Sequence, residues 1–425
     1  MMFFFGVCFA EQVVQAPIMS VQAKKEKQVV VALVTLGTVT KELQNVVDVV
    51  TQDLMFSGQC VVKNYSLDTL AHTTFVKNLY EQENIPLAFF VSMQDDEVSW
   101  RLYDTAQAVM VQGKAVRKKG PDLRRFAHQV ADQMWPSFMG TMSSFASKIA
   151  WCQAHSVKKH GKTKEYRYIY IADYDGHNVQ ELVKNPTISI APRWNNDLLA
   201  PLLYFSENTL SNVRLMMSNM YGNQMVMCSF EGINMLPAFS DDNKDVVVCL
   251  SKDGSGQLYH LDRHGKKLKM HRLTHNDGNN ISPCFIGKNK IAFASDMKTE
   301  WPQIYTLDIK TGVTEQITDK GYCACPSYCA ATNKLVYSKM VKGKMQLFVY
   351  DFKTKSHTQM TFGTDESKEE GCWSPCGTYI MFVANKHAKG RVARLNVLTK
   401  KIEYITPEGI NCSYPAWSPV YAFFE

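Results

Sequence analysis

Cys323-Ala-Cys325 with Cys329 is the densest grouping of reactive side chains in the chain. In a strand, Cys-x-Cys puts both thiols on one face, so a soft metal or a disulfide is the chemistry to weigh. Structural zinc takes four ligands, usually from two Cys-x-x-Cys pairs; here Cys372 or Cys376 of the next repeat could approach, but no such second pair is present. Metal is therefore not expected, and a disulfide to Cys329 stays open. Glu369-Glu370 pairs two carboxyls, but adjacent strand residues face opposite sides, which suits a solvated or partner-facing role better than acid–base work. The 11 histidines include no His-Glu-x-x-His spacing, and the chain has no Gly-x-Ser-x-Gly elbow. Lys252-Asp-Gly-Ser-Gly256 suits a hairpin turn, not a strand-to-helix phosphate loop. His128, within a helical pattern, is expected to be structural. No catalytic residue, cofactor or metal is expected, and the chain is not expected to be an enzyme.

The elements that would position these groups follow from length and patterning. With 425 residues the chain can hold two or three domains with sizeable cores. No apolar run approaches the ~20 residues of a membrane span. The net charge of +7 is spread over short runs such as Lys24-Lys25-Glu26-Lys27, Arg117-Lys118-Lys119 and Lys158-Lys159. These fall at linkers and turns without interleaved aromatics, which argues against nucleic acid as a partner. Met1 to Ala10 is apolar and followed by Glu11-Gln12, so residues 1–22 are expected to be a signal-like segment and N-terminal tail. Cysteines such as Cys228, Cys249 and Cys284, among 12 in all, are expected as small buried hydrophobes.

Residues 23–153 alternate in type. Gln28 to Val34 is a β-rich run, and Leu43, Val46, Val47, Val50 and Leu54 lie on one helical stripe that Gly58 can stop. Strand-like runs follow at Cys60–Val62, Leu87–Met93, Val98–Tyr103 and Ala108–Val111. A second helix enters through Pro121-Asp122 and carries Leu123, Phe126, Ala127, Val130, Ala131 and Met134. This predicts a compact α/β domain. Residues 154–165, rich in Lys, His and Gly, are expected to be a linker.

From 166 to 425 the helical period is gone and the sequence repeats. Pro-x-aromatic recurs as Pro192-Arg-Trp194, Pro237-Ala-Phe239, Pro283-Cys-Phe285, Pro326-Ser-Tyr328 and Pro415-Ala-Trp417, with Gly371-Cys-Trp373 in the remaining slot. Successive copies are 45, 46, 43, 45 and 44 residues apart. A strand ending in Asp follows, as in Ile304-Tyr-Thr-Leu-Asp308, then a strand closing near Thr274, Thr318, Thr361 or Thr406. Four short strands per unit is the size of a propeller blade. The expected fold is an α/β N-terminal domain plus an all-β six-bladed propeller, whose two ends share one blade to close the ring.

These segments together resemble the TolB family. Leu123-Arg-Arg-Phe-Ala-His-Gln-Val-Ala-Asp132 is similar to that family's Arg-x-Ala-His-x-Ile-Ala-Asp helix, and Asp53-Leu54 with Ser57-Gly58 to its Asp-Leu-x-x-Ser-Gly. Phe145-Ala-Ser-Lys-Ile-Ala150, Ala172-Asp-Tyr-Asp-Gly176 and Pro415-Ala-Trp-Ser-Pro419 also match in order and spacing. The resemblance implies a monomeric scaffold of the bacterial periplasm. It would bind a Pal-like peptidoglycan-associated lipoprotein over the propeller tunnel, and a TolA-like inner-membrane protein through its N-terminus, during envelope constriction at division.

The loop before each Pro-x-aromatic element should lead into the innermost strand of a blade, so six such loops ring the tunnel mouth. That reasoning names Ile233, Asn234, Leu236, Asn279, Asn280, Ile281, Ser282, Tyr322, Cys323, Glu369, Glu370, Ser413 and Tyr414 as partner-binding residues. The competing expectation is a propeller enzyme or small-ligand binder that uses the tunnel itself.

Overall fold

The computed structural model describes residues 28–68, 73–159, 161–209, 212–262 and 269–421. The signal-like segment lies outside the described residues, and so does the N-terminal tail expected to meet a TolA-like partner. The chain forms two compact units, Met1–Val47 with Leu54–Arg117, and Asp48–Asp53 with Lys118–Glu425. The second unit thus begins well before residue 154 and includes the second predicted helix.

The first unit is built on β1 (Val29–Leu36). Helix α1 (Lys41–Phe56) follows, opened by Thr40, whose hydroxyl accepts the Leu43 N–H. Next come β2 (Cys60–Leu67), α2 (Thr73–Glu81), β3 (Leu87–Gln94), β4 (Glu97–Asp104) and β5 (Val109–Arg117). The sheet order is β2-β1-β3-β4-β5, with β1 parallel to β2 and β3 and the last three strands a meander. The sequence expectation lacks α2. It is a 9-residue helix that buries only Val76 and Leu79, too short for its period to stand out. Those two side chains pack on Ala32, Val34, Ala88 and Phe90 of the sheet.

The second unit opens with α3 (Leu123–Met139), capped by Asp122 at its start and by Gly140 in the left-handed region at its end. The half-buried Asp132 carboxylate accepts from Ser143 Oγ and from the N–H groups of Phe145 and Ala146, which fixes the chain's exit toward the propeller.

Six blades follow. The first contains β6 (Lys148–Lys159), β7 (Lys162–Asp173) and β8 (Gln180–Val183). Residues 154–165, expected as a linker, are instead the two arms of the β6–β7 hairpin. The end of that hairpin is solvent-exposed on both faces, so its composition carries no strand alternation. The next blades are β9–β12 (Ile188–Trp194, Leu203–Asn208, Val213–Ser218, Gln224–Cys228) and β13–β16 (Asn234–Phe239, Asp245–Leu250, Gln257–Asp262, Lys269–Arg272). Then come β17–β20 (Asn280–Ile286, Lys290–Ser295, Gln303–Asp308, Thr314–Gln316) and β21–β24 (Cys323–Cys329, Lys334–Val341, Lys344–Asp351, Ser356–Gln359). The last is β25–β28 (Ser367–Trp373, Tyr379–Lys386, Lys389–Asn396, Ile402–Tyr404). Finally β29 (Cys412–Trp417) returns to pair antiparallel with β6 and completes the first blade.

The repeated residues have repeated jobs. The aromatic of each Pro-x-aromatic element enters the apolar layer between neighbouring blades: Trp194, Phe239, Phe285, Tyr328 and Trp373 do so, and Trp417 stacks on Tyr379. Thr274, Thr318 and Thr361 accept the N–H of Leu258, Ile304 and Leu347 and donate to Gln257, Gln303 and Gln346. A hydroxyl thus replaces a missing ladder partner where the outermost strand ends. In the last copy Thr406 accepts from Val392, and Arg391 takes the place of the glutamine by donating to the Thr406 carbonyl.

Closure is tight at Gly390, where a Cβ would lie 2.1 Å from the Cys412 carbonyl oxygen of β29. Gly390→Ala should therefore push β29 off its neighbour and cost about 2–4 kcal/mol, read as a lowered unfolding midpoint. A neutral substitution would mean that β29 does not pack there.

Candidate functional site

Each innermost strand carries the same irregularity. Ala191, Leu236, Ser282, Cys325, Glu370 and Tyr414, the residues just before Pro or Gly371, all have φ between 52° and 57°. The strand pairing shifts register at this point in all six, the mark of a β-bulge. Proline fits because a bulged strand has an amide to spare. Gly371 replaces it where a Cβ would sit 3.0 Å from Leu347 and 3.2 Å from Val336.

Five of the six bulged residues, all but Ala191, and the six residues that follow the prolines or Gly371 line a cavity of about 410 Å³ that all six innermost strands share, so it lies on the propeller axis. The second set is Arg193, Ala238, Cys284, Ser327, Cys372 and Ala416. Burial pushes the Cys284, Cys325 and Cys372 thiols up to about 12, which keeps them protonated and unreactive. Burial also raises the Glu370 carboxyl to about 7; the Tyr414 N–H it accepts and the Arg193 and Arg167 charges oppose that rise, and Glu369 adds to it.

The residues named from sequence divide into three groups. Leu236, Ser282, Glu370 and Tyr414 line the cavity. Asn234, Asn280 and Cys323 are fully buried. Asn234 ties together Phe230 and Val213, and Asn280 bonds to Gln257, Asn276 and Gly278, so both brace loops and present nothing to a partner. Ile281 packs between blades with Phe285, Ile291 and Cys284. Ile233, Asn279 and Tyr322 sit on the mouth loops, and Glu369 and Ser413 within the innermost strands β25 and β29. Ile233 is exposed, Asn279 bonds to Asp296, and Tyr322 meets the ring of Trp301. Glu369 accepts from Asn385, and Ser413 from Arg167.

Sequence reasoning missed two things. Phe230, Trp301 and Phe362 join Ile233 as exposed apolar side chains on loops at the mouth end. Arg193 points into the tunnel, and aligning the internal copies reveals it: the residue after Pro is Arg once and Ala, Cys, Ser, Cys and Ala in the others. Cys323, Cys325 and Cys329 are free thiols, so the disulfide left open by sequence is not formed.

The family model of the TolB beta propeller domain matches residues 136–421. The chain belongs to this family. It is 24% identical over 423 residues to a Tol-Pal system protein TolB of Francisella tularensis subsp. mediasiatica, covering 92% of this chain and 94% of that one. It is 27% identical over 217 residues to the TolB of Bordetella pertussis, 51% of this chain and 47% of the relative. The crystal structure of TolB from Acinetobacter baumannii superposes with a TM-score of 0.75 at 20% identity, over 93% of this chain and 98% of that chain.

In this TolB-family chain three of the motif fragments meet in one buried network. Asp53 takes the His128 Nδ1–H at 2.7 Å and the Tyr174 hydroxyl at 2.7 Å. His128 Nε2 faces Asp175 at 3.8 Å, and Asp175 is paired with Arg124. Burial alone would lower the His128 pKa, but Asp53, by charge and hydrogen bond, and then Asp175 and Asp173 hold it above its ordinary value. The ligand atoms of Asp53, His128 and Asp175 lie within 4.8 Å of one another, close enough for a metal. Asp53 and Asp175 are nevertheless committed to Tyr174, His128 and Arg124, so the protein's own cations fill the place. His128 is structural here.

Asp53→Ala should cost about 3–5 kcal/mol, because it leaves a buried imidazole and phenol without their acceptor; a loss well under ~1 kcal/mol would mean the network carries no stability. Glu370 gives a pH signature. A carboxyl raised in the folded chain makes stability fall as pH climbs from its ordinary 4.5 towards about 7. Glu370→Gln should therefore match wild type near pH ~4 and gain on the order of 1–3 kcal/mol above pH ~7. A gain that does not change with pH would exclude the buried carboxyl as its source.

Proposed function

We propose that this chain is a periplasmic interaction scaffold of a Tol-Pal-type envelope system, with a Pal-like lipoprotein domain docking on the tunnel mouth. Its relatives are named as Tol-Pal system proteins, and no helix among the described residues is long and apolar enough to cross a membrane. The observation that carries the reading is the mouth itself. Phe230, Ile233, Trp301 and Phe362 put exposed apolar surface on the loops at the end of the propeller where the innermost strands begin. Such a patch, rimmed by polar loops, marks a protein interface. The wall behind it offers thiols kept protonated and a carboxyl without a catalytic partner, so the chemistry available suits recognition over turnover. In this reading the N-terminal segment engages a TolA-like inner-membrane protein, and the assembly supports envelope integrity and constriction at division.

Titration of the full chain with a Pal-type soluble domain from the same organism, by calorimetry, tests this. Micromolar or tighter binding is expected. Trp301→Asp, at a side chain 53% exposed, should weaken it at least about tenfold without changing the unfolding midpoint. Absence of binding by the wild-type chain would refute the Pal-type reading.

A further inference from the structure

The β6–β7 hairpin is longer than its blade needs. In every blade the second strand runs back towards the mouth end, where the innermost strand begins, and turns there into the third. In five blades that turn comes at once. Asn208, Leu250 and Ser295 end their strands at the last pair made with the innermost strand. Strand β26 ends one residue past its last such pair, Asn385, and β22 two residues past Lys339. In the first blade Gln153 makes that last pair, with Cys412, yet β6 continues six residues further, to Lys159, paired throughout with β7. The root is tied to the mouth: the Ala154 N–H donates to the Asn411 carbonyl at 2.8 Å, and Arg167 donates to Ser413 Oγ at 2.8 Å. Beyond it, residues 155–159 and 162–166 pair in the sheet only with each other, a finger of about 17 Å at roughly 3.3 Å per residue.

The two faces of the finger differ. Alternate strand residues share a face, so His155 and Tyr166 at the foot stand in line with Lys164 and Lys162 towards the tip. Tyr168 and Tyr170 continue the row below. Its rings lie nearly parallel, Tyr166 to Tyr168 at 6° and His155 to Tyr168 at 24° with centroids 4.6 Å apart. The Tyr170 hydroxyl lies 3.0 Å from His155 Nε2 and donates to Glu181 at 2.7 Å. Ring pairs across the strands stiffen a two-stranded hairpin that would be marginal alone. The other face carries Lys158, Thr163 and Glu165, and Glu165 is paired with Arg167 at 3.2 Å. Nearer the core that second face packs on the next blade through Cys152, Ile169, Trp194 and Phe205. The ring-bearing face therefore turns the other way, towards the last blade, whose entry loop exposes Phe362.

Residues 155–166 hold four lysines against one acid, Glu165, which Arg167 already engages. Lys158, Lys162 and Lys164 are exposed and form no ion pair among the described residues. We propose that the finger is a docking arm, whose ring-bearing face, with Lys162 and Lys164, grips an acidic patch on the protein domain that seats on the mouth. The inference rests on the mouth-docking reading and names what that partner presents. Half-buried rings are what protein interfaces enrich, and lysines at a rim steer an acidic partner in. A protein is favoured over an anionic membrane on two grounds. The arm stands on a mouth whose loops expose Ile233 to one side of it and Phe362 to the other. Its tip, from Lys158 to Lys164, has no apolar side chain to enter lipid.

The test uses the full chain and the same Pal-type domain. Wild type, Lys164→Glu, Lys158→Glu, Tyr166→Ser and Trp301→Asp are titrated by calorimetry at low and high salt, after each is shown to melt like wild type. At low salt Lys164→Glu is expected to weaken binding about tenfold and to flatten its salt dependence. Tyr166→Ser should cost at least about fivefold, and Lys158→Glu, on the other face, less than about threefold. Changing one acidic residue of the domain to lysine should restore binding to Lys164→Glu; if none does, the contact is not direct and the arm is overturned. If Trp301→Asp weakens binding while Lys164→Glu and Tyr166→Ser leave it unchanged, docking at the mouth stands and the arm is wrong. Equal losses from Lys164→Glu and Lys158→Glu would reduce the finger to general charge attraction and overturn the assigned face. If the wild-type chain does not bind, both readings fall. Vesicles of phosphatidylglycerol and phosphatidylethanolamine are tested in parallel. If they retain the chain through Lys164 while the domain's affinity ignores that residue, the finger is a lipid contact and the partner claim is overturned.

Discussion

Six strands that converge on one axis have to turn side chains toward it without filling it, and a regular strand cannot do this at both ends of its length. The bulge before each proline solves the problem. It turns the residue after the Pro, and in five of the six strands the residue before it, toward the cavity, and it leaves the residue three positions before the Pro buried. Ser189, Asn234, Asn280, Cys323, Lys368 and Cys412 all occupy that position. The aromatic two residues after Pro can then enter the inter-blade layer, where most of the apolar burial that holds the ring is found.

This constraint explains what could be read from the chain. The Pro-x-aromatic period was legible because the bulge favours an imino acid and the layer behind it favours a ring. The threonines near the strand ends were legible because a hydroxyl must serve an amide that has lost its ladder partner. The role of each mouth residue was not, since a bulge changes which face a side chain takes without changing its neighbours in sequence. Asn234 and Asn280 look like surface amides by type, yet their donors and acceptors are taken by loop backbone. The hairpin at 154–165 was misread for a related reason: a strand exposed on both faces has the composition of a linker.

The network around Asp53 shows a different limit. The fragments containing Asp53, His128 and Tyr174-Asp175 each stand out in sequence, but His128 and Tyr174 lie 75 and 121 residues beyond Asp53, and nothing in that spacing hints that they meet. Once assembled, the network is closed by Arg124 and Tyr174, and that closure explains why a histidine flanked by two carboxylates serves as a brace and not as a base. The tunnel presents the reverse case. Among the described residues Arg193 there forms no ion pair, which is why the two clusters of charge, similar in composition, differ in what they can do.

The return of β29 to β6 also sets an order in time. The two strands are joined at Cys412 and Gln153, and at Trp417 and Ile149, so the first blade of the propeller to leave the ribosome is the last to be finished. Until β29 arrives, β6 offers an open hydrogen-bonding edge while five complete blades have no ring to belong to. Long-range closure of this kind is slow, and an unpaired edge invites pairing with another chain. A newly made molecule therefore passes through an interval of vulnerability whose length is set by the rate of synthesis, and any factor that shields strand edges during that interval would raise the yield of folded protein without touching its final stability.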